Sequence, residues 1–397
     1  MLGNDNGMSR RNVLKAAGAS IATAGASGLA AAKPGDKVEV NIGFSSERGR
    51  QAAVSKASDV VREFSSLDIV TAQMPKKAAT GLANNPNVRY VEENGTMEAL
   101  AETLPWGQQR VDADVLHANS ELGSGADVAI LDTGIDSDHP DLTDKLGAGK
   151  AYATCDTSGG CRYGAKKADN TCYESWDDDN NHGTHCAGIA AGDNNSKGVI
   201  GAAPDVTLHA VKVLGGCGSG SFSDIAAGIE YTADQGWDVA SMSLGGSSGS
   251  SALKDAVQYA SDKGVFLVAA AGNSGPCTDC VGYPAAYSEV MAVSSTASDD
   301  SLSDFSSTGP EVEIAAPGTD IYSSVANGGY DTYSGTSMAT PHVAGVAGQL
   351  ASNGTTGSNI RSTLNNTAEG IGLASNESGS GLLDAAAALG YDSSDDT

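Results

Sequence analysis

Gly335-Thr336-Ser337-Met338-Ala339-Thr340-Pro341-His342-Val343-Ala344-Gly345-Val346-Ala347-Gly348-Gln349-Leu350 opens on a glycine, sets a serine two residues later and continues in small and apolar residues. The pattern predicts a buried helix over 337–352 with Ser337 in its first turn. There, unpaired backbone N–H groups and the positive end of the helix dipole favour developing negative charge, which suits a nucleophile. Pro341 is tolerable only because it falls near the helix start. A serine that merely caps a Gly/Ala helix would look the same. What separates the two cases is the company the serine keeps.

Upstream, β-branched runs at 127–131, 206–213, 239–243, 265–271 and 290–294 alternate with helical patterns at 183–192, 221–235 and 250–263, and a last helix is expected near 381–389. Such alternation predicts an α/β fold with a mostly parallel sheet covered on both faces. Active residues of such sheets gather at the carboxyl ends of strands. Asp132 ends the first strand, in Val128-Ala129-Ile130-Leu131-Asp132-Thr133-Gly134-Ile135-Asp136. His182 opens a small-residue helix in Asn181-His182-Gly183-Thr184-His185-Cys186-Ala187-Gly188. His185 is a rival for the same task, and the two histidines could suggest a metal pair, but no Glu-rich motif accompanies them.

Asp, His and Ser together have a chemical logic. A serine hydroxyl is inert at its free pKa; a histidine must take its proton, and a carboxylate must fix the imidazole tautomer and stabilise its cation. With the order Asp132, His182, Ser337 and the three flanking motifs, residues 102–390 resemble the subtilisin-like serine proteases, the subtilases. Within them the chain is similar to the extracellular, halolysin-like type of halophilic archaea, with some proteinase K-branch features. The resemblance implies a three-layer subtilisin-like fold and a serine endopeptidase working through an acyl-enzyme on Ser337.

It also implies the rest of the site. Ala270-Ala271-Gly272-Asn273-Ser274-Gly275 resembles the family's oxyanion motif and gives that role to Asn273 with the Ser337 N–H. Ser243-Leu244-Gly245-Gly246 and Gly218-Ser219-Gly220 resemble the two edges that hold a peptide as an added strand. Neither the edge at 243–246 nor the wall around Gly272 brings a charge, so a broad apolar specificity pocket is expected. A structural calcium site maps onto Asp141 and the loop after the histidine helix. Asp193, Lys197 and Val199 would offer backbone oxygens and Asn195 its side chain, and Glu102 stands where the family has glutamine.

The chain has 397 residues and a formal net charge of −26. Residues 1–100 carry 12 Lys and Arg against 10 Asp and Glu, and the remainder 11 against 39. An excess of 28 negative charges on one body disfavours nucleic acid and anionic lipid as partners. It repels itself in dilute buffer, whereas at molar salt the Debye length falls to about 3 Å, which points to a protein built for brine. No apolar run after the N-terminus reaches the roughly 18 residues needed to span a bilayer.

Three segments are expected. Residues 1–32, with Arg10 and Arg11 before a mild apolar run and Ala30-Ala31-Ala32 as a cleavage site, read as a twin-arginine export signal. Residues 33–100 read as a β-α-β-α-β unit over 37–44, 49–64, 67–75, 76–84 and 88–93. By size and position they resemble the ferredoxin-like α+β propeptide of the family, a folding assistant and inhibitor removed by self-cleavage near 97–104. Residues 101–397 are the catalytic domain, expected to be a secreted monomer whose partners are protein and peptide substrates and its own propeptide.

Seven cysteines fit an exported protein. Cys186 resembles the unpaired buried thiol of the proteinase K branch. Cys155, Cys161, Cys172, Cys217, Cys277 and Cys280 can pair in 15 ways, and Cys277 with Cys280 also has the spacing of half a zinc knuckle. Two other function classes share parts of the pattern. An esterase would need the triad but not the glycine-rich edges, and a pseudo-enzyme acting as a binding module would not need Asp132, His182, Asn273 and Ser337 intact.

Overall fold

The computed structural model describes residues 37–64, 67–94, 102–161 and 167–393. The expected signal over 1–32, and the expected cleavage region as far as residue 101, lie outside the described residues. The chain forms two compact units, one within residues 1–99 and the other within 100–397.

In the first unit, β1 (Lys37–Phe44), α1 (Glu47–Lys56), β2 (Asp59–Glu63), β3 (Ile69–Pro75), α2 (Lys76–Ala83) and β4 (Val88–Glu93) follow in order. The strands form one antiparallel sheet in the order β2-β3-β1-β4, a ferredoxin-like arrangement. Val40 and Ile42 of β1 and Val70, Ala72 and Met74 of β3 bury one sheet face with Ala53, Ala79 and Leu82 of the helices. One expectation is corrected: the helix predicted over 49–64 ends at Lys56, and Asp59–Glu63 is an edge strand. None of its residues is buried, so it lacks the period-2 apolar signal by which a strand is read.

In the second unit, β5 (Asp127–Asp132), β6 (Lys150–Ala151), α3 (His182–Ala191), β7 (Thr207–Lys212), α4 (Phe222–Gln235), β8 (Val239–Met242), α5 (Ser251–Asp262), β9 (Phe266–Ala270) and β10 (Met291–Thr296) alternate along the chain. β11 (Val312–Pro317), the hairpin β12 (Ile321–Val325) and β13 (Gly329–Tyr333), α6 (Thr336–Ser352) and α7 (Gly357–Thr367) follow, and a short helix at Ala385–Leu389 comes late. β6, β11, β12, β13 and α7 add to the elements expected from sequence. The main sheet has seven strands in the order β11-β10-β9-β8-β5-β7-β6, every adjoining pair parallel.

Strand β5 shows how the layers arise. Val128 and Ile130 belong to the core under α3 and α6, whereas Ala129 and Leu131 belong to the core under α4 and α5. A strand buried on both faces must be apolar along its buried span, as this one is from Val128 to Leu131. Helices α3 and α6 pack closely because both are built from small residues. A Cβ at Gly345 would lie 2.7 Å from the Ala190 carbonyl oxygen and from Ala202 Cβ, so the approach requires glycine. Among the described residues no helix is long and apolar enough to cross a membrane.

Candidate active site

Asp132 is the last residue of β5, between β7 and β8 in the sheet, and is fully buried. Its Oδ1 accepts from the Thr133 N–H at 2.6 Å and lies 2.8 Å from His182 Nδ1. His182 is the first residue of α3, and Asp178 fastens that helix start. Asp178 Oδ1 accepts from Thr133 Oγ1 (2.8 Å), Asn180 N (2.9 Å) and Asn181 N (3.1 Å), while Oδ2 accepts from Thr184 N (2.9 Å) and Thr184 Oγ1 (2.7 Å). Thr133 Oγ1 in turn accepts from the Gly183 N–H at 2.9 Å, so strand end and helix start are tied through one hydroxyl. Together these donors on one buried carboxylate give the capping that a helix N-terminus needs.

The imidazole of His182 is pulled down by burial. The charge and hydrogen bond of Asp132, with Asp178 behind, outweigh that and raise its pKa above 6.5. His185, the rival, sits one turn along α3, buried, stacked on Tyr333 at 4.5 Å and 3.2 Å from the Asp331 carbonyl oxygen. Burial lowers its pKa to about 4, so it is neutral. Between the two, His182 alone has a carboxylate partner.

Ser337 lies in the first turn of α6. Pro341, four residues on, has no N–H to give the Ser337 carbonyl, and that oxygen accepts from Ser243 Oγ (2.8 Å) and the buried Cys186 Sγ (3.4 Å) instead. Proline thus frees the carbonyl that ties the Ser337 turn to the exit of β8 and to α3. Ser337 Oγ donates to the Ser243 carbonyl at 3.4 Å. Cys186 has its thiol pKa raised well above the usual range by burial and the Asp132 charge, and it is the free cysteine. Its Sγ and one ligand atom each of Asp132 and His182 lie within 4.8 Å of one another, which places Ser337 beside the Asp–His pair.

Asn273, after β9, has its Oδ1 occupied by Thr336 N (2.9 Å) and Thr336 Oγ1 (3.0 Å). Its Nδ2 remains as a donor on the Gly335 side, 3.4 Å from where a Cβ of that glycine would stand. Asn273 and Ser337 line one cavity of about 470 Å³, walled by Ser243–Ser247 on one side and Cys280–Gly282 on the other. Asp279 also lines it, so the expectation of a wall without charge is corrected. A second cavity of about 350 Å³ lies between Gly218–Gly220 and Ser243–Gly246, with Leu214, Phe222, Ile225 and Leu253 as its apolar lining and His182 at its edge. The two glycine-rich edges named from the sequence therefore border one groove.

Buried Lys212 of β7 adds a tie that the motifs do not include. Its Nζ donates to Asp179 Oδ1 (2.6 Å), the Leu214 carbonyl (3.1 Å) and the Thr133 carbonyl, joining the segment before His182 to the strand leading into Gly218–Gly220. Three disulfides form: Cys155–Cys172, Cys161–Cys217 and Cys277–Cys280. The bridge between Cys277 and Cys280 uses up both thiols of the possible zinc half-site.

The six residues of the expected cation site lie together. Asp141 Oδ2 accepts from the Val199 N–H (2.8 Å), Glu102 Oε1 from Asn195 N (2.8 Å), and Asn195 Oδ1 from Lys197 N (2.9 Å). Asn195 turns Nδ2 toward Asp141 Oδ1 and Asp193 Oδ2, both at 3.2 Å. Lys145 Nζ sits 2.5 Å from the Asp193 carboxylate. Burial, with Asp193 nearby, raises the Asp141 pKa to about 6. Oxygen donors on a loop with more acid than base suit a hard cation such as calcium.

Residues 123–385 match the model of the Subtilase family. The chain is 41% identical over 332 residues to M-protease of Shouchella clausii, covering 83% of this chain and 81% of that one. It is 38% identical over 364 residues to Subtilisin E of Bacillus subtilis (89% and 91%) and 41% identical over 316 residues to a thermostable alkaline protease of Halalkalibacterium halodurans (79% and 81%).

Proposed function

From the premise that the chain belongs to the subtilase family, and is by that membership a serine-type endopeptidase, we propose that Ser337, His182, Asp132 and Asn273 carry its chemistry. The observation that carries this reading is the 2.8 Å contact of His182 Nδ1 with buried Asp132, which leaves Nε2 as the ring's base. Ser337 Oγ attacks the carbonyl of the scissile peptide bond as His182 Nε2 takes its proton, and Asp132 stabilises the imidazolium. The oxyanion is held by Asn273 Nδ2 and the Ser337 N–H at the α6 terminus. His182 then protonates the departing amine, leaving an acyl-enzyme that water opens by the reverse proton path. Substrate lies in the groove between 218–220 and 243–246.

The finer reading is of a secreted, salt-adapted, halolysin-like enzyme exported by the twin-arginine route, working as a monomer. The four-stranded unit acts as folding assistant and inhibitor, and Ser337 removes it by cutting near 97–104. The charge contrast between the two parts supports salt adaptation. Glu102, Asp141, Asp193 and Asn195, with Lys197 and Val199, would hold structural calcium, which would neutralise their charge and brace the loop after α3.

The test is expression of the precursor beside its Ser337→Ala variant in high salt, following mass, casein hydrolysis and ester hydrolysis. The native chain should shorten to a start near 97–104 and digest casein, while the variant stays full length. If both shorten alike, another protease matures the chain. Ester hydrolysis without casein hydrolysis would favour an esterase instead.

A further inference from the structure

The cavity beside Ser337 is about 470 Å³, large enough for a long side chain, and its walls mix glycine backbone, Leu244, Ala270 and Val281 with the hydroxyls of Ser247, Ser274 and Ser307. Asp279 is the one charged residue lining it. Asp279 is exposed and forms no ion pair among the described residues. It stands on a four-residue loop closed by the Cys277–Cys280 bridge. That loop is pinned from behind by buried Thr308, whose Oγ1 donates to the Cys277 carbonyl at 2.6 Å and whose carbonyl accepts from Cys280 N at 2.9 Å. Beyond it, Gly282 N donates to the Ala271 carbonyl at 2.8 Å, so both ends of the segment are fixed, the second against the strand that delivers Asn273.

A cavity lined partly by apolar side chains, with a single carboxylate residue in its lining, has a chemical counterpart. Lysine and arginine lay an aliphatic stem along apolar surface and keep the charged head in water. We propose that Asp279 is a specificity-determining residue of the pocket beside Ser337, favouring substrates with lysine or arginine before the scissile bond and disfavouring glutamate and aspartate. This deepens the endopeptidase reading and rests on it. Because Asp279 is exposed, its pairing with a substrate cation is solvent-screened. An exposed ion pair changes a rate ratio by about fivefold at most, so the result is a bias within a broad apolar preference and not an exclusive one.

The experiment compares kcat/KM for peptides that differ only in the residue before the scissile bond: lysine, its uncharged near-isostere norleucine, and glutamate. Mature native enzyme, Asp279→Asn and Asp279→Lys are assayed at one fixed salt concentration. In the native enzyme the lysine-to-norleucine ratio should exceed one. It should fall about threefold to fivefold in Asp279→Asn, while the glutamate-to-norleucine ratio rises by a similar factor and rises further in Asp279→Lys. A loop that only shapes the pocket would move all three substrates together and leave the ratios unchanged, which overturns the proposal. So does a native lysine-to-norleucine ratio at or below one, a result that needs no folded variant. Failure of the native enzyme to cleave the norleucine peptide would count against the peptidase reading itself.

Discussion

Thr336 holds the Asn273 side-chain oxygen twice, through its backbone N–H at 2.9 Å and its hydroxyl at 3.0 Å. The same hydroxyl accepts from the Gly272 N–H at 3.2 Å, so one buried residue beside the nucleophile fixes both the amide and the backbone that carries it. An amide held by its oxygen presents its nitrogen without reorganisation, which is what stabilising a developing oxyanion requires. Asn273→Ala should lower kcat by about 10²–10³, the loss found when subtilisin itself is stripped of its oxyanion-hole asparagine. Thr336→Val keeps the shape but removes one of the two restraints, and should lower kcat by up to about tenfold with little change in KM. A large KM effect with kcat intact would show that Thr336 shapes the pocket instead.

As the proposed base, His182 should set the pH dependence of turnover. Burial alone would lower its pKa, but the Asp132 charge and hydrogen bond, with Asp178, hold it above 6.5. Only neutral imidazole can accept the Ser337 proton, so kcat/KM should be lost as pH falls through that raised value and should level off above it. His185, lowered to about 4, contributes nothing to this limb. Asp132→Asn removes the stabilising charge, so kcat should fall by about 10⁴ and what activity remains should titrate at lower pH. A pH–rate profile whose midpoint does not move in that variant would contradict the assignment of the limb to His182.

Much of this site is legible in sequence because its parts are local. A strand ending in Asp132, a helix opening on His182 and a turn delivering Ser337 are each one short motif. The parallel strands β5 and β7–β10 are equally readable from their apolar runs. What stays hidden depends on distant partners. Asp279 lies 58 residues before Ser337, and only the fold sets it on the pocket rim. The Cys161–Cys217 bridge, the Asn273–Thr336 lock and the Lys212–Asp179 tie are likewise made by chain segments far apart. Strand β2 escapes sequence reading because the lack of a buried face erases its pattern, and β12 and β13 because they form a two-stranded hairpin outside the main sheet.

Asp136 gives a stability prediction of definite sign. It is fully buried and accepts from the Gly328 N–H at 3.2 Å through Oδ2. Burial, with Asp138 and Asp177 beside it, raises its pKa from 3.8 to about 7. Between those values the native chain holds a proton that the unfolded chain has released, so this residue's contribution to stability falls as pH rises through that window and is flat above it. In a Ser337→Ala background, to prevent self-digestion, Asp136→Asn should match its parent near a pH of about 4. It should become the more stable of the two at a pH of about 8, by a few kcal/mol at most at about 1.4 kcal/mol per pKa unit. Parallel stability curves for the two chains across that range would rule this out.

Removing the proposed calcium should separate the structural role of the Asp141 loop from catalysis. Asp141 sits among Glu102, Asp193 and Asn195, with Lys145 Nζ 2.5 Å from Asp193 as the nearest opposing charge. A cation bound only by the folded chain stabilises it by about 2.7 kcal/mol when present at about a hundred times its dissociation constant. In the Ser337→Ala chain a calcium chelator should therefore lower Tm, and added calcium should restore it. Asp141→Asn should start from a lower Tm and respond to neither, because the loop loses the buried carboxylate on which the site centres. Lys145→Ala should retain the response, since it removes a competing charge and no oxygen donor. If Asp141→Asn keeps the full calcium shift, the ion binds elsewhere on the acidic surface and this loop is held by its hydrogen bonds alone.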